Sequence, residues 1–116
     1  MKPGNKGAEA EQLAAAFLQR QGLQLVETNY RCRFGEIDLV CRDRDVLVFV
    51  EVRLRGNAAF GGAAASITAA KQHKLVLAAR HYLAQLRAFP ACRFDVVLLS
   101  GLRDNDIEWI RNAFGE

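Results

Sequence analysis

The sequence lacks the features of a membrane or secreted protein. None of its apolar runs is long enough to cross a membrane, and its first residues, 1–5, lack the apolar segment of a signal peptide. Its three cysteines, Cys32, Cys41 and Cys92, are odd in number and form no CxxC pair. We therefore expect a cytoplasmic, reduced protein without a structural zinc site.

The sequence also lacks a large excess of charge of either sign. Its 116 residues carry a net charge of +3, which permits a polyanionic partner but does not require one. Apolar residues make up 51% of the chain and charged residues 25%, a balance typical of globular proteins. The length predicts a single domain, residues 1–116, with one hydrophobic core.

What the sequence does contain is a pair of neighbouring strand-like runs that carry carboxylates. Residues 34–40 include Asp38, residues 46–53 include Glu51, and the charged segment 42–45 joins the two runs as a predicted hairpin. Acidic side chains on half-buried strands are costly unless they are paired or hold a cation. We therefore expect the chemistry of the protein to centre on this hairpin.

The register of the hairpin decides whether its acids can act together. A turn centred on residues 43–44 would place Asp38 opposite Phe49, with Glu51 as a diagonal neighbour about 7–8 Å away on the same face. The same register would place Glu36 directly opposite Glu51. Carboxylates on one face could share a metal ion, whereas a slip by one residue would put Asp38 and Glu51 on opposite faces.

A purely structural role for these acids is the alternative. Asp38 and Glu51 would then form salt bridges with Arg53 and Arg55 on a solvated face of the sheet. The composition of the second strand disfavours this, because apolar side chains share the face of Glu51 and valines at 46, 48, 50 and 52 form the other face. A strand that is apolar on both sides is typical of the centre of a sheet buried between two layers.

The first helix is predicted from about Lys6 to Gln21, with Asn5 as N-cap and Gly22 just past its end. Its apolar stripe has helical spacing and consists of Ala10, Leu13, Ala14, Phe17 and Leu18. Glu11 lies beside this stripe, at the margin of the core. Spacing alone favours a solvated flanking role for Glu11.

The second helix is predicted to begin near Ser66 or Thr68 and to continue to about Arg87. Its apolar stripe includes one cation, Lys71, in the first turn, and the full set is Ile67, Lys71, Leu75, Ala78, Tyr82 and Leu86. An inward lysine either extends its ammonium group to solvent or serves a buried anion, and the sequence does not distinguish these. His73, Lys74 and His81 lie off the stripe and are expected to be exposed.

Three further strands are predicted at residues 23–30, 93–99 and 107–110. Arg31 and Arg33 precede the hairpin, where their guanidinium groups could bind phosphate oxygens at the rim of the site. The order helix, strand, hairpin, helix, strand, strand predicts an α/β protein whose second helix returns the chain across the sheet.

Two other segments are expected to play supporting roles. Residues 56–65 are rich in small side chains and predict a loop, but their order does not match a phosphate-binding P-loop. Asp95, near the start of a strand, is expected to orient a neighbouring side chain.

Several segments resemble the YraN family of small bacterial proteins of uncharacterised function over nearly the whole chain. They are Glu11-Gln12-Leu13-Ala14, Asn29-Tyr30-Arg31, Gly35-Glu36-Ile37-Asp38-Leu39, Val48-Phe49-Val50-Glu51-Val52, Lys71, Ala78-Ala79, Tyr82-Leu83, Arg93-Phe94-Asp95 and Asn112-Ala113-Phe114. The series Glu11, Asp38 and Glu51-Val52-Arg53 also resembles the motif order of the PD-(D/E)XK nuclease superfamily. The order of these motifs is also similar to that of archaeal Holliday-junction resolvases.

The resemblance implies a restriction-endonuclease-like fold, a mixed sheet of about five strands flanked by helices. It also implies phosphodiester hydrolysis of structured or branched DNA with Mg²⁺ or Mn²⁺. Asp38 and Glu51 would be metal ligands, and Glu11 a third acid. Arg53 stands where the pattern expects lysine, and Lys71 could supply the missing ammonium group.

The DNA contacts that we predict are five cations, namely Arg31, Arg33, Arg53, Arg55 and Lys71. Because arginine stays protonated, Arg53 can hold a phosphate but cannot take a proton from water. A DNA-binding module that has lost catalysis is therefore an alternative, and a structural or interaction domain is another. Action on a two-fold symmetric junction would favour a homodimer.

Overall fold

A computed structural model of the chain describes residues 5–54, 67–88, 90–101 and 103–115. Within these residues there are two α-helices, five β-strands and one short 3-10 helix. In chain order these are α1 (Asn5–Arg20), β1 (Gln24–Cys32), β2 (Gly35–Asp43), β3 (Val46–Leu54), α2 (Ala69–Leu83), β4 (Ala91–Leu99), the 3-10 helix (Asp104–Asp106) and β5 (Ile107–Phe114). The predicted loop 56–65 and Arg55 lie outside the described residues.

The five strands form one mixed sheet in the order β1-β2-β3-β4-β5. Strands β3 and β4 are parallel and are connected through α2, while the other neighbouring pairs are antiparallel. This confirms the predicted α/β class, with a sheet of five strands and flanking helices, and the arrangement is compatible with a restriction-endonuclease-like fold. No helix in the described part of the chain is both long and apolar enough to cross a membrane.

The central position of β3 follows from its apolar character on both faces. Val48 and Val50 pack with Ala14 and Leu18 of α1 in one buried cluster. Phe49, on the opposite face of β3, packs with the α2 side of the sheet in a second cluster that includes Leu75, Ala78 and Tyr82. A strand covered by a helix layer on each side must be apolar on both. The prediction that β3 lies buried between layers is confirmed.

The register of the β2–β3 hairpin differs from the predicted one. The turn is formed by Arg44 and Asp45, and Asp43 pairs with Val46, one position later than expected. Arg44 adopts a left-handed conformation (φ +57°), which is the backbone shape that tight hairpin turns require. The pairing of β2 with β3 therefore shifts by two residues, a change that preserves the face on which each side chain lies.

This shift removes one predicted contact. Glu36 pairs with Arg31 of β1 and forms an ion pair with it at 3.1 Å, so Glu36 does not lie opposite Glu51. The pairing of β2 with β3 runs only from Asp43–Val46 to Leu39–Val50. Glu36 lies beyond the end of that ladder, on the exposed part of β2.

The helices match their predicted positions closely, with one difference at the end of α2. Thr68 is the N-cap of α2, and its hydroxyl accepts a hydrogen bond from the Lys71 N–H at 3.1 Å. The α-helix ends at Leu83, earlier than the predicted Arg87. Beyond it the N–H groups of Gln85 and Leu86 bond to carbonyls three residues earlier, so the chain continues in tighter turns. Leu86 still packs on the core, as its place in the stripe predicts.

Candidate functional site

Asp38 lies where the regular alternation of β2 is interrupted. Ile37 packs with the α2 side of the sheet, whereas Leu39, two positions later, packs with the α1 side. The β2–β3 ladder ends at Leu39, and the Oδ2 atom of Asp38 accepts the backbone N–H of Val52 at 2.8 Å. The Asp38 carboxylate thus occupies the fork where β2 and β3 separate, held by the backbone of β3.

Glu51 is the buried acid of the site, with 5% of its surface exposed. Its Oε2 atom lies 3.2 Å from Nζ of Lys71 and 3.8 Å from Nε of Arg53. Its carboxyl group also contacts that of Asp38. Burial, and next the negative charge of Asp38, raise the pKa of Glu51 to about 7, although Lys71 opposes this. Through their contact, the carboxyl groups of Asp38 and Glu51 lie closer together than the predicted diagonal placement would bring them.

Glu11 approaches Asp38 from the α1 side of the sheet. Its carboxyl group contacts both Asp38 and the side chain of Asn29. Partial burial, followed by the charge of Asp38, raises the pKa of Glu11. Asp38 therefore stands between two acids, Glu11 from α1 and Glu51 from β3. Spacing along α1 favoured a solvated role for Glu11, and only the pairing of elements in the fold brings it to this fork.

A cavity of about 310 Å³ opens on the α2 side of the fork. It is lined by residues from β2, β3 and the first turns of α2, namely Gly35, Glu36, Asp38, Glu51, Thr68, Ala70, Lys71, Lys74 and Leu75. Lys71 joins Glu51 across this cavity while 42% of its side chain stays exposed. Two roles were predicted for the inward Lys71. The structure shows the second, because its ammonium group forms an ion pair with the buried carboxylate of Glu51.

Lys74 was not expected at the site. It is exposed, as its position off the apolar stripe predicts, but it also lines the cavity one turn after Lys71. The signal that could have identified it is its spacing of three residues from Lys71, since residues three apart are neighbours on a helix surface.

The described residues contain no group of three acidic, histidine or cysteine side chains placed to hold a metal ion together. Mg²⁺, however, is commonly bound through one or two carboxylates, with water and substrate phosphates as the other ligands. Asp38 and Glu51 offer two hard oxygen donors beside an open cavity, and a cation would relieve the repulsion that raises the pKa of Glu51. These two carboxylates fit Mg²⁺ or Mn²⁺, with Glu11 as a predicted third ligand.

The predicted DNA-contacting arginines occupy different positions. Arg31, with 75% of its side chain exposed, pairs with the cavity residue Glu36. Arg33 is exposed, and its guanidinium carbon lies 4.8 Å from the ring centre of Phe34, a cation–π contact. Arg53 lies beside Glu51, as described above. Arg55 falls outside the described residues.

A second buried acid, Asp95, has a structural role. It is fully buried and accepts hydrogen bonds from Nε of Arg93 at 3.0 Å, from Nε1 of Trp109 at 2.9 Å and from the backbone N–H of Asn112 at 2.9 Å. Arg93 also pairs with Asp43 at 3.0 Å. The expectation that Asp95 orients neighbouring groups is confirmed, since it fixes side chains from β4 and β5.

Comparison with known sequences assigns the family. Residues 10–99 match the family model described as Uncharacterised protein family UPF0102. The chain belongs to the UPF0102 family. Two UPF0102 proteins of Nitrosomonas europaea are 67% and 65% identical to it over 113 residues, 97% of this chain and 96% of each relative. A UPF0102 protein of Cupriavidus taiwanensis is 61% identical over 110 residues, 94% of this chain and 82% of the relative.

UPF0102 membership confirms the family resemblance that the sequence motifs predicted. The matched range contains the acids Glu11, Asp38 and Glu51 and the lysines Lys71 and Lys74. The placement in the nuclease superfamily and the likeness to archaeal resolvases stay predictions.

Proposed function

We propose that this UPF0102 protein is a metal-dependent endonuclease-like protein that acts on structured or branched DNA in the cytoplasm. One observation carries the proposal. Glu51 is buried against Asp38 with Lys71 3.2 Å from its carboxylate, at the wall of an open cavity. A buried carboxylate that a second carboxylate repels is unfavourable for folding alone, so its presence beside a cavity favours a functional role.

Asp38 and Glu51 would hold a Mg²⁺ or Mn²⁺ ion, and Glu11 would assist through its contact with Asp38. Such an ion, when bound, would polarise the phosphate and lower the pKa of a water molecule. The hydrogen bond from the Val52 N–H fixes the Asp38 carboxylate, so little orientation has to be acquired on binding.

Lys71 and Arg53 would contact the phosphate oxygens. Both cations already lie within 4 Å of the Glu51 carboxylate, at 3.2 Å and 3.8 Å, so they converge on the place where the phosphate would bind. Lys71 would supply the ammonium group that Arg53 does not provide, and Arg53 would stabilise negative charge as it develops. Arg31 and Arg33 would line the approach of the DNA, and a homodimer would suit a two-fold symmetric junction.

Cleavage of branched and linear DNA in Mg²⁺ or Mn²⁺ tests the proposal. The informative variant is Asp38→Asn, because asparagine keeps an oxygen that can accept the Val52 N–H but removes the negative charge. A metal site supplies several kcal/mol of transition-state stabilisation, so the variant should cut DNA about 100-fold more slowly or worse. Asp45→Asn, in the exposed β2–β3 turn, is the matched control and should retain activity. Wild-type activity no higher than that of Asp38→Asn would refute the enzymatic role.

A DNA-binding module without catalysis is the second candidate, and Arg53 favours it. An arginine at this position cannot accept a proton from water, and Lys71 is engaged by Glu51. This candidate predicts salt-sensitive DNA binding, no product at any metal concentration, and little gain from Arg53→Lys. A purely structural domain would instead show no shift of thermal stability on addition of metal.

A further inference from the structure

Asp38 lines the α2-side cavity, and its neighbour Glu11 lines a separate groove on the other side of the sheet. The α2-side cavity, described above, is lined by the cations Lys71 and Lys74 and by the acids Glu36, Asp38 and Glu51. A groove of about 340 Å³ on the other side, between α1 and β1, is lined by Glu11 and by neutral side chains that include Gln12, Gln19 and Asn29. Among the described residues that line this groove there is no lysine or arginine. Cations that can attract a phosphate therefore line the cavity but not the described part of the groove.

Most charges at the cavity are already compensated by a partner within the protein. Glu36 pairs with Arg31 at 3.1 Å, and Glu51 pairs with Lys71 at 3.2 Å. Lys74 differs from Lys71, because no acid forms an ion pair with it within the ranges that the structure describes. An ammonium group without a counter-charge attracts an external anion more strongly than one already engaged by a carboxylate.

Lys74 is positioned by its contact with Gly35, the first residue of β2. Gly35 has φ +150°, and a Cβ atom added to it would lie 3.6 Å from Cβ of Lys74, so the two backbones approach closely. A residue other than glycine would be strained in this conformation. The β1–β2 turn therefore packs against α2 at Lys74, and Lys74 takes its place on the cavity wall one helical turn beyond Lys71.

We propose that Lys74 binds a backbone phosphate of the DNA strand, next to the phosphate that Lys71 and Arg53 would contact, so that the strand approaches Asp38 from the α2 side. The assignment rests on the proposed function. Lysine suits this role because it acts as a compact point charge on a flexible stem and needs no fixed orientation. It would strengthen binding to any sequence, because phosphate contacts carry no base information.

The test is DNA binding by fluorescence anisotropy in EDTA, which removes metal, over a series of salt concentrations. The variants are Lys74→Gln, Lys74→Arg and Arg87→Gln, the last being the matched loss of one exposed cation outside the cavity lining. One phosphate contact contributes about 0.9 to the slope of log affinity against log salt, which is about eightfold in affinity at 0.1 M salt relative to 1 M. Lys74→Gln should lose about this much affinity and slope. Lys74→Arg should retain both, and Arg87→Gln should change affinity less than about twofold.

The outcomes separate this inference from the proposed function. If the wild-type protein binds DNA and Lys74→Gln has the same affinity and salt slope as Arg87→Gln, Lys74 does not bind phosphate, although the proposed function stands. If the wild-type protein binds no DNA at any salt concentration, either in EDTA or in Mg²⁺, and cuts none, the proposed function fails and this inference fails with it. Because Lys74 is exposed, Lys74→Gln should keep the wild-type thermal midpoint, so lost affinity would not reflect unfolding.

Discussion

Replacing Glu51 with glutamine, Glu51→Gln, should stabilise the protein at alkaline pH. In the folded protein, burial and the nearby charge of Asp38 raise the pKa of Glu51 from 4.5 to about 7. Ionisation of this side chain is therefore harder in the folded chain than in the unfolded one. Glutamine is neutral at every pH and can still donate a hydrogen bond to Asp38. Lys71, with 42% of its side chain exposed, can return to water.

The sign of the effect follows from proton binding. Between pH 4.5 and about 7 the folded state holds a proton on Glu51 that the unfolded state has lost. The free energy of unfolding of the wild-type protein therefore falls as pH rises through this window. At about 1.4 kcal/mol per pH unit, an interval of about 2.5 units gives an upper bound of roughly 3.5 kcal/mol. The difference between Glu51→Gln and wild type should be small at pH 5 and about 1–3 kcal/mol in favour of the variant at pH 8.5.

Urea denaturation in EDTA at pH 5 and pH 8.5 measures this difference. Glu27→Gln, the same chemical change at an exposed position of β1, is the matched control. It should stay within about 0.5 kcal/mol of wild type at both pH values. A Glu51→Gln variant that is less stable than wild type by the same amount at pH 5 and pH 8.5 would refute the account of Glu51 as a strained, buried acid.

Two further predictions concern the scaffold. Asp95→Asn should lower the free energy of unfolding by about 3 kcal/mol, because it leaves Arg93 and the Trp109 N–H facing a neutral group; a loss below about 1 kcal/mol in urea denaturation would contradict this. Thr68→Ala should cost about 1 kcal/mol by removing the α2 N-cap that accepts the Lys71 N–H. Thr68→Ser keeps a hydroxyl and should cost less, so equal losses in the two variants would argue against the cap.

The architecture was predictable because local patterns and burial agree along most of the chain. Valines on one face of β3 and apolar residues on the other predicted a central strand, and β3 is central because a helix covers each face. The apolar stripe of α2 predicted that Lys71 faces the sheet. In the structure its partner there is Glu51.

The details of the site were less predictable because they depend on backbone geometry. The position of the hairpin turn is set by Arg44 in a left-handed conformation, for which the flanking residues gave no unique signal. The alternation of side chains between the two faces of the sheet is interrupted at Asp38, where β2 separates from β3. A prediction from strand periodicity assumes uninterrupted alternation and therefore misses this change. Glu11 and Lys74 lie at the site because α1 and α2 pack on the sheet at these positions. Residue spacing within one helix does not predict how that helix packs on a sheet.

The measurement that tests the central claim most directly is a crystal structure of the protein soaked in Mn²⁺, with the metal located by its anomalous scattering. The account predicts one anomalous peak at the fork of β2 and β3, with carboxylate oxygens of Asp38 and Glu51 as its protein ligands. The peak should disappear in Asp38→Asn crystals soaked in the same way and persist in Asp45→Asn crystals. A wild-type crystal with no peak between Asp38 and Glu51, at Mn²⁺ concentrations that support DNA cleavage by the protein, would contradict it.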